Sequence, residues 1–232
     1  MTAEENGALA TLLKTYAGRE PPGTDTWSPL RIEEEMWHRA RLLIEMCRCL
    51  RSIPCSIETL QVLDVGCGIG RSSRLLVDIG VRPENLLGID VRESAINDAR
   101  RWNPAIRFRH LTGFSDWPRG TFDLVVQCTA FSSLRGSEIR RKTAALMEQS
   151  VGADGYILWW DLQRALAFAG GELLDPKTLF QRLQLITERQ VSLLPDFCDS
   201  LRRLRGIGYW ISWALSPIRP RPTHVIALMR PK

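Results

Sequence analysis

The most constraining feature of this sequence is a short apolar stretch that leads into three closely spaced glycines. Residues 62–73 read VLDVGCGIGRSS, so a strand-like segment ends near Val65 and a helix-like segment follows Gly70. Glycine is needed where the backbone adopts a positive φ or passes close against a ligand. The backbone amides at the start of a helix offer hydrogen-bond donors and a partial positive charge. This stretch therefore predicts a strand–turn–helix unit whose turn binds a ligand.

Segments of strand and helix character alternate along the rest of the chain. Strands are predicted at 61–65, 86–90, 106–111, 122–128 and 156–160, and helices at 71–79, 93–102 and 137–150. Further predictions are an amphipathic helix at 32–50, a helix start at Asp175-Pro176, and β-rich segments at 185–194 and 223–229. Such alternation predicts an α/β fold with a doubly wound, mostly parallel sheet covered by helices on both faces.

Length and composition set the domain organisation. The 232 residues, 44% of them hydrophobic, suffice for one α/β domain with a sizeable core. We expect a cap segment and helix at 1–57 and the main domain at 58–232. The longest apolar run, Ile207–Leu215, is much shorter than the ~20 residues that span a bilayer, and no signal-peptide pattern precedes it, so a cytoplasmic location is expected. The six cysteines show no CxxC pair, so no metal site is expected.

Positive charge is concentrated near the C-terminus. The net charge is +5, and no acidic residue follows Asp199, whereas Arg202, Arg203, Arg205, Arg219, Arg221, Arg230 and Lys232 do. Such an imbalance attracts anionic partners, unless it is only a solvated basic face. The segment 196–222 is too long for a simple hairpin connection and is predicted to be a lid. Three roles stay open for its 201–222 part: a cover over the acceptor site, a peripheral membrane contact or a homodimer contact.

The glycine spacing and two nearby carboxylates indicate the kind of ligand that the turn binds. Dinucleotide sites use G-x-G-x-x-G, whereas residues 66–70 read G-x-G-x-G and follow Asp64. A carboxylate at this strand end repels a pyrophosphate but suits a ligand that carries an ammonium group. Asp90 ends the next predicted strand, where a carboxylate accepts hydrogen bonds from ribose hydroxyls. Together these residues describe a nucleoside that bears an amino acid.

Three motifs in this order resemble the class I S-adenosylmethionine-dependent methyltransferases. They are VLDVGCGIG at 62–70, GID at 88–90 and FDLVVQC at 122–128, and the resemblance covers residues 58–161. It implies a Rossmann-like seven-stranded sheet with an antiparallel last strand and a helical N-terminal cap. It also implies S-adenosylmethionine as cofactor and S-adenosylhomocysteine as product.

A narrower resemblance adds three short stretches. QCTAFSSL at 127–134, ILWWD at 157–161 and Thr223-His224 are similar to a largely unassigned bacterial subset of methyltransferases, some linked to saccharides or small molecules. This likeness supports the same cofactor and leaves the methyl acceptor open.

The family pattern assigns cofactor roles to individual positions. Asp64, Gly66 and Gly68 would line the methionine moiety, and Gly70 would permit close helix packing. The same pattern implies that Asp90 holds the ribose. Many members carry an acid after the third strand that reads the adenine amino group, and this chain has Thr112 there. The predicted cofactor-binding residues are Asp64, Gly66, Cys67, Gly68, Gly70, Asp90, Val91 (against the adenine), Thr112, Gly113, Gln127 and Cys128 (the last two near the sulfonium).

Two residues are candidates for the acceptor chemistry. Methyl transfer from a sulfonium needs a base only if the acceptor is a protonated hydroxyl or amine. In this fold the last strand is antiparallel, so His224 would begin it at the ligand-binding edge, where an imidazole suits proton transfer. The alternative is a histidine hydrogen-bonded into the strand end. Asp161 follows the fifth strand at the same edge and is the second catalytic candidate.

Aromatic residues are predicted to line the acceptor pocket. Trp160, Phe131 and Trp27 are the predicted substrate contacts. Trp159 should point to the opposite face of its strand from Trp160 and pack in the core, because side chains alternate along a strand.

The sequence therefore predicts an enzyme that transfers a methyl group from S-adenosylmethionine to a small-molecule or saccharide acceptor, at a hydroxyl. An anionic or lipid-linked acceptor suits the basic C-terminal segment. No nucleic-acid partner is expected, since no second basic binding module is evident. The alternatives are a methyltransferase acting on RNA or protein, and a regulator that binds S-adenosylmethionine without turnover.

Overall fold

The computed structural model describes residues 33–165, 170–191 and 222–232, with side chains from residue 39 onward. Within these ranges the chain forms one sheet with helices packed on it. The predicted substrate contact Trp27 and the predicted lid 196–222, except for Pro222, lie outside the described residues. The division into a cap at 1–57 and a domain at 58–232 therefore stays a prediction.

Seven strands of the described chain form a single mixed sheet. They are β1 (Val62–Val65), β2 (Leu86–Asp90), β3 (Arg107–His110), β4 (Phe122–Cys128), β5 (Val151–Leu162), β6 (Leu183–Val191) and β7 (His224–Pro231). Their order across the sheet is β3-β2-β1-β4-β5-β7-β6. Only β7 runs antiparallel to its neighbours β5 and β6, and the other pairings are parallel. The predicted α/β class and antiparallel last strand are confirmed.

The main helices begin and end close to their predicted bounds. They are α1 (Glu33–Leu50), α2 (Arg71–Asp78), α3 (Glu93–Trp102), α4 (Ser137–Ser150) and the short α5 (Pro176–Leu179). Asp175 caps α5 as predicted, because its side chain accepts a hydrogen bond from the backbone N–H of Lys177. No helix in the described ranges is long and apolar enough to cross a membrane.

The fifth strand is longer than its sequence indicates. Only 156–160 is rich in strand-forming residues, yet β5 extends from Val151 to Leu162. The added residues 152–155 (GADG) belong to types that are depleted in strands, so local preference argues against them. Val151 pairs with Phe122 of β4, and Tyr156 pairs with Leu124 after a register shift, so residues 152–155 lie in an irregularity between two paired parts of the strand. The far end of β5 continues along β7 as far as the pair Leu162 and His224.

Two hydrophobic clusters cover the two faces of the sheet. The first joins helices α1, α2 and α3 to the strands through Met46, Leu76, Ile96, Leu124, Leu158 and Trp160. The second joins α4 and the segment after α5 through Met147, Phe180, Val125, Ile157 and Trp159. Neighbouring strand residues such as Leu158 and Trp159 fall into different clusters, as the alternation of side chains along a strand requires.

A buried carboxylate fastens the N-terminal helix to the far side of the sheet. Glu45 of α1 is fully buried, and its oxygens lie 2.6 Å from Nε of Arg189 on β6 and 2.7 Å from Nη1 of Arg48. Arg41 completes the group at 3.1 Å. Burying a carboxylate is tolerated only when it is paired and hydrogen-bonded, which these arginines accomplish. The contact fixes α1 against β6.

The strand order creates a cleft at one edge of the sheet. From β1 the chain proceeds outward in one direction through β2 and β3, and then crosses back to place β4 on the other side of β1. In open α/β sheets ligands bind beyond the carboxyl ends of the strands at such a reversal point. The residues that follow β1, β2 and β4 are therefore the candidate site.

Close packing behind this cleft leads to a first prediction. A Cβ on Gly88 of β2 would lie 2.6 Å from Cδ1 of Phe108 and 2.9 Å from Sγ of Cys67, which is shorter than real contacts allow. Gly88→Ala should therefore lower the free energy of unfolding by about 1–3 kcal/mol through overpacking. The measurement is urea denaturation followed by circular dichroism.

A matched control uses a strand glycine with room around it. A Cβ on Gly152 of β5 would meet only ordinary contacts, the nearest being the carbonyl oxygen of Phe122 at 3.6 Å. Gly152→Ala should leave the midpoint of unfolding close to that of the wild type. Equal midpoints for both variants would contradict the packing described for Gly88.

Candidate active site

The glycine turn between β1 and α2 adopts a conformation that only glycines adopt readily. Gly66, Gly68 and Gly70 have φ values of 69°, 55° and 81°. A Cβ on Gly66 would lie 2.7 Å from Cβ of Ala130, and one on Gly70 would lie 2.9 Å from Cζ of Phe108. The turn is thus held against the strand ends on both sides, with no space for larger residues.

Asp64 lies beneath this turn as a buried carboxylate with one oxygen unpaired. Its Oδ2 accepts hydrogen bonds of 2.6 Å from the hydroxyls of both Ser72 and Ser73 at the start of α2. Its Oδ1 is also buried and has no hydrogen-bond partner among the described residues. Burial raises the pKa of this carboxyl to about 6, and the nearby Asp90 adds to the rise, while the serine hydrogen bonds oppose it. Buried polar atoms normally have a hydrogen-bond partner, so this unpaired oxygen is a candidate acceptor for a donor group of a ligand.

Asp90 links the end of β2 to the glycine turn. Its Oδ2 accepts a 2.8 Å hydrogen bond from the backbone N–H of Gly68, and its Oδ1 accepts one of 2.8 Å from that of Arg92. The guanidinium of Arg92 also pairs with Oδ1 at 3.3 Å. Each carboxylate oxygen can accept about two hydrogen bonds, so Oδ2 retains capacity for a ligand hydroxyl.

The segment after β3 forms a tight turn closed by an acidic residue. Both the backbone N–H and the hydroxyl of Thr112 donate to Oδ2 of Asp116. These hydrogen bonds hold the pKa of Asp116 below its usual value. Gly113 lies within this turn in an extended conformation. The Thr112 hydroxyl, predicted to face the adenine, is thus engaged by Asp116, while Nε2 of His110 lies 3.1 Å from the carbonyl oxygen of Val91.

The end of β4 is held by a buried glutamine. Gln127 is fully buried; its Nε2 donates to the carbonyl oxygen of Trp160 at 3.2 Å, and its Oε1 accepts from the N–H of Ala130 at 3.1 Å. Its neighbour Cys128 is partly buried, and burial raises the pKa of the Cys128 thiol well above its usual value. Gln127 therefore braces the turn that follows β4, which abuts the glycine turn through Ala130.

Asp161 is a fully buried carboxylate that binds backbone N–H groups. Its Oδ2 accepts from Phe131 at 2.9 Å and from Ser132 at 3.2 Å, and its Oδ1 accepts from Leu162 at 2.8 Å. Burial raises its pKa to about 6 against the lowering effect of these hydrogen bonds. The side chain lies at the predicted sheet edge, but its role as a catalytic group stays a prediction.

His224 begins β7 at the same edge of the sheet. Its ring stacks on Trp160 with a centroid distance of 5.3 Å and an interplanar angle of 26°. Its Nδ1 lies 2.9 Å from the hydroxyl oxygen of Thr223. The ring is partly exposed and its orientation is fixed from two sides, as a proton-transfer group requires.

The predicted aromatic contacts are deeply buried. Trp159 lies in the core as predicted, with its ring 4.5 Å from that of Phe131 and 5.6 Å from that of Phe180. Phe131 is itself fully buried, and Trp160 is 2% exposed. Contact of an acceptor with Phe131 or Trp160 would require the surrounding structure to open, so these two assignments stay predictions. Cys67 likewise directs its thiol into the core.

Three residues near the cleft were not predicted from the sequence. The guanidinium of Arg92 approaches the glycine turn, since its Nη2 would lie 3.1 Å from a Cβ on Gly68. The position of this basic residue, two residues after Asp90, is the sequence feature that could have predicted its contact with that carboxylate. Asp116 follows Thr112 by four residues, a spacing that fits a side-chain-closed turn. Thr129 has a φ of 58°, and nothing in the sequence indicates a left-handed β-branched residue there.

Comparison with known proteins agrees with this geometry. Residues 62–151 match the family model described as a methyltransferase domain. Residues 62–151 therefore form a methyltransferase domain. Among curated proteins, none matches the chain. The matched residues contain the glycine turn, Asp90 and the end of β4, and hence most of the candidate site.

Solved structures share the fold of this methyltransferase domain. A TehB-like S-adenosylmethionine-dependent methyltransferase from Corynebacterium glutamicum is 18% identical, with a TM-score of 0.54 and 100% of each chain covered. A second S-adenosylmethionine-dependent methyltransferase, from Mesorhizobium loti, is 16% identical over 79% of this chain and 96% of that chain, with a TM-score of 0.53. Coclaurine N-methyltransferase, solved with N-methylheliamine and S-adenosylhomocysteine, is 12% identical, with a TM-score of 0.55. The match covers 83% of this chain and 72% of that chain.

Coclaurine N-methyltransferase is solved with S-adenosylhomocysteine, and S-adenosylmethionine is the cofactor expected for the present chain. Two observations fit this group to the cleft. The unpaired Oδ1 of Asp64 is a negative acceptor of the kind that an ammonium group needs. The positive φ values of Gly66, Gly68 and Gly70, and the lack of room for a Cβ on Gly66 or Gly70, keep side chains out of the turn at these positions. Among the described residues, no group of three or more histidines, cysteines and acids could hold a metal ion.

The charge state of Asp64 leads to a second prediction. Its raised pKa, about 6, means that the carboxyl is mostly ionised at pH 7 and mostly protonated at pH 5. If Oδ1 binds the ammonium group, affinity for S-adenosylmethionine should fall about tenfold between pH 7 and pH 5. Isothermal titration calorimetry across this range measures the change.

Two variants separate Asp64 from other titrating groups. Asp64→Asn should weaken binding at pH 7 and flatten the pH dependence between pH 7 and pH 5. Asp154→Asn removes an exposed carboxylate near the opposite edge of the sheet and should retain the wild-type profile. A wild-type pH profile in the Asp64 variant would refute the ammonium assignment.

Proposed function

We propose that this methyltransferase domain methylates a hydroxyl of a small-molecule or saccharide acceptor, with His224 as the general base. The observation that carries the proposal is the oriented imidazole at the cleft edge. His224 is stacked on Trp160 and hydrogen-bonded through Nδ1 to Thr223. A base held in this way is needed for a hydroxyl acceptor, because its proton must leave during the transfer.

The chain's own residues would hold the cofactor at two points. Asp64 would accept the ammonium group through its unpaired Oδ1, supported by Ser72 and Ser73. Asp90 would accept a ribose hydroxyl through Oδ2, which is already anchored by the N–H of Gly68. When bound, S-adenosylmethionine supplies a methyl group activated by its attachment to a sulfonium.

The contribution of the protein is then orientation and proton removal. His224 would take the proton that the acceptor hydroxyl loses as its oxygen bonds to the methyl carbon. The Thr223 hydroxyl would hold the ring in a fixed orientation, since it lies 2.9 Å from Nδ1. Holding two reactants in line supplies most of the rate enhancement for such a displacement. The basic segment after Asp199 supports an anionic acceptor, although most of that segment lies outside the described residues.

A third prediction tests His224 directly. His224→Ala should lower the rate of S-adenosylhomocysteine formation roughly a hundredfold or more, because a general base contributes about that much. The affinity for S-adenosylmethionine should stay within about twofold of wild type, because the ring acts on the acceptor. The measurement is product release from a panel of phenolic, polyol and sugar-phosphate acceptors.

The control is His110→Ala, which removes the other histidine of the described sheet, at the end of β3 and separated from β7 by four strands. It should leave turnover at saturating cofactor close to wild type. Wild-type turnover in His224→Ala would exclude the base assignment. The wild type could also bind S-adenosylmethionine tightly and yet form no product with any acceptor of the panel. That result would favour a regulator that binds S-adenosylmethionine without turnover over an enzyme for this class of acceptor.

A further inference from the structure

The turn after β4 contains a backbone conformation that is costly to maintain. Among the described residues, Thr129 is the one non-glycine residue with a positive φ, 58°. For a β-branched residue this conformation is a genuine outlier, and such outliers persist only when the surroundings enforce them. Thr129 is also exposed, so core packing does not explain why the conformation is kept. Strain of this kind is concentrated at functional sites.

Several hydrogen bonds at Thr129 and Ala130 hold the turn Thr129–Ser133 in its conformation. The N–H of Thr129 donates to the carbonyl oxygen of Trp160 at 2.7 Å. The carbonyl oxygen of Thr129 accepts from the hydroxyl of Ser132 at 3.2 Å. Gln127 braces the same turn by accepting from the N–H of Ala130. Both ends of the strained residue are therefore fixed.

Asp161 enforces the turn from the neighbouring strand. Its carboxylate accepts the N–H groups of Phe131 and Ser132, which begin a short 3-10 helix that has no side-chain cap of its own. Asp161 lies thirty residues from these partners and is fully buried. Burying a carboxylate is unfavourable, and its raised pKa of about 6 reflects that cost. Packing alone would favour an apolar residue here.

The turn forms one wall of the cofactor cleft. Ala130 lies so close to the glycine turn that a Cβ on Gly66 would come within 2.7 Å of its own Cβ. Gln127, at the start of this wall, pairs in register with Val65, the last residue of β1. A shift of the turn would therefore change the width of the cleft directly beside the glycine turn.

We infer that Asp161 is a positioning residue for methyl transfer, which holds the turn Thr129–Ser133 and its strained Thr129 in place against the glycine turn. Asp161 acts through the backbone of Phe131 and Ser132 and does not itself exchange a proton with the acceptor. The inference rests on the proposed function, because it assigns the turn to the wall along which the acceptor meets the methyl donor. A misplacement of about 1 Å in such a wall costs up to about a hundredfold in rate.

The first experiment measures the backbone contact without turnover. In Asp161→Asn, hydrogen–deuterium exchange at the amides of Phe131 and Ser132 should be about tenfold faster, because the amide side chain replaces one acceptor oxygen with a donor. The control is Asp123→Asn, whose carboxylate accepts the backbone N–H of Gln61 near the opposite edge of the sheet. It should leave exchange at 131 and 132 unchanged. Unchanged exchange in Asp161→Asn would overturn the inference.

The second experiment separates positioning from stability. Asp161→Asn should lower kcat roughly tenfold to a hundredfold, with the S-adenosylmethionine affinity within about threefold of wild type. Thr129→Gly guards against misfolding of the first variant, because glycine relieves the strained φ and should keep or raise the melting temperature. Its kcat should nevertheless fall, since the turn loses its fixed geometry.

The outcomes distinguish this inference from the proposed function. A full kcat in Thr129→Gly, or in a folded Asp161→Asn with faster exchange at 131 and 132, would overturn the positioning role while the methyltransferase stands. Loss of cofactor affinity in step with kcat would also overturn it, because the turn would then act on the donor alone. Turnover by the wild type tests the proposed function separately, and the ratio of variant to wild type tests this inference.

Discussion

The lack of free space around the glycine turn is the constraint on which the rest of the site depends. Gly66 abuts Ala130 after β4, and Gly70 abuts Phe108 of β3, so strands on both sides of β1 converge on one short loop. Backbone hydrogen bonds also hold the turn, since the N–H groups of Gly66 and Cys67 donate to the carbonyl oxygen of Ile89 at 2.9 and 3.0 Å. The N–H of Gly68 then anchors Asp90, which connects the second strand to the same point.

Two buried carboxylates at the edge of the sheet lower the folding stability but hold specific contacts in place. Asp64 and Asp161 both have their pKa raised to about 6 by burial, so each ionised form costs folding free energy near neutral pH. Asp64 keeps one buried oxygen unpaired, whereas the oxygens of Asp161 accept hydrogen bonds from backbone N–H groups. The same residue type therefore keeps an unpaired acceptor oxygen in one place and binds backbone N–H groups in the other.

Much of the fold could be predicted because local pattern and tertiary pairing agree. The bounds predicted for 86–90, 93–102, 122–128 and 137–150 coincide with β2, α3, β4 and α4. The prediction for β5 was too short, because residues 152–155 have weak strand preference although the strand continues beyond them to the pair of Val151 with Phe122. The contact of Asp161 with Phe131 and Ser132 could not be predicted either, since no sequence pattern connects residues thirty positions apart.

The sequence by itself determined the α/β class, the glycine turn and the carboxylates near the ends of β1, β2 and β5, because periodicity and glycine spacing are local properties of the chain. Only the tertiary structure decided what those carboxylates contact. It paired Asp161 with backbone N–H groups, stacked His224 on Trp160 and buried Phe131 against Trp159. These outcomes depend on which strands become neighbours and on where burial makes each polar atom find a partner, and neither is encoded within a single segment.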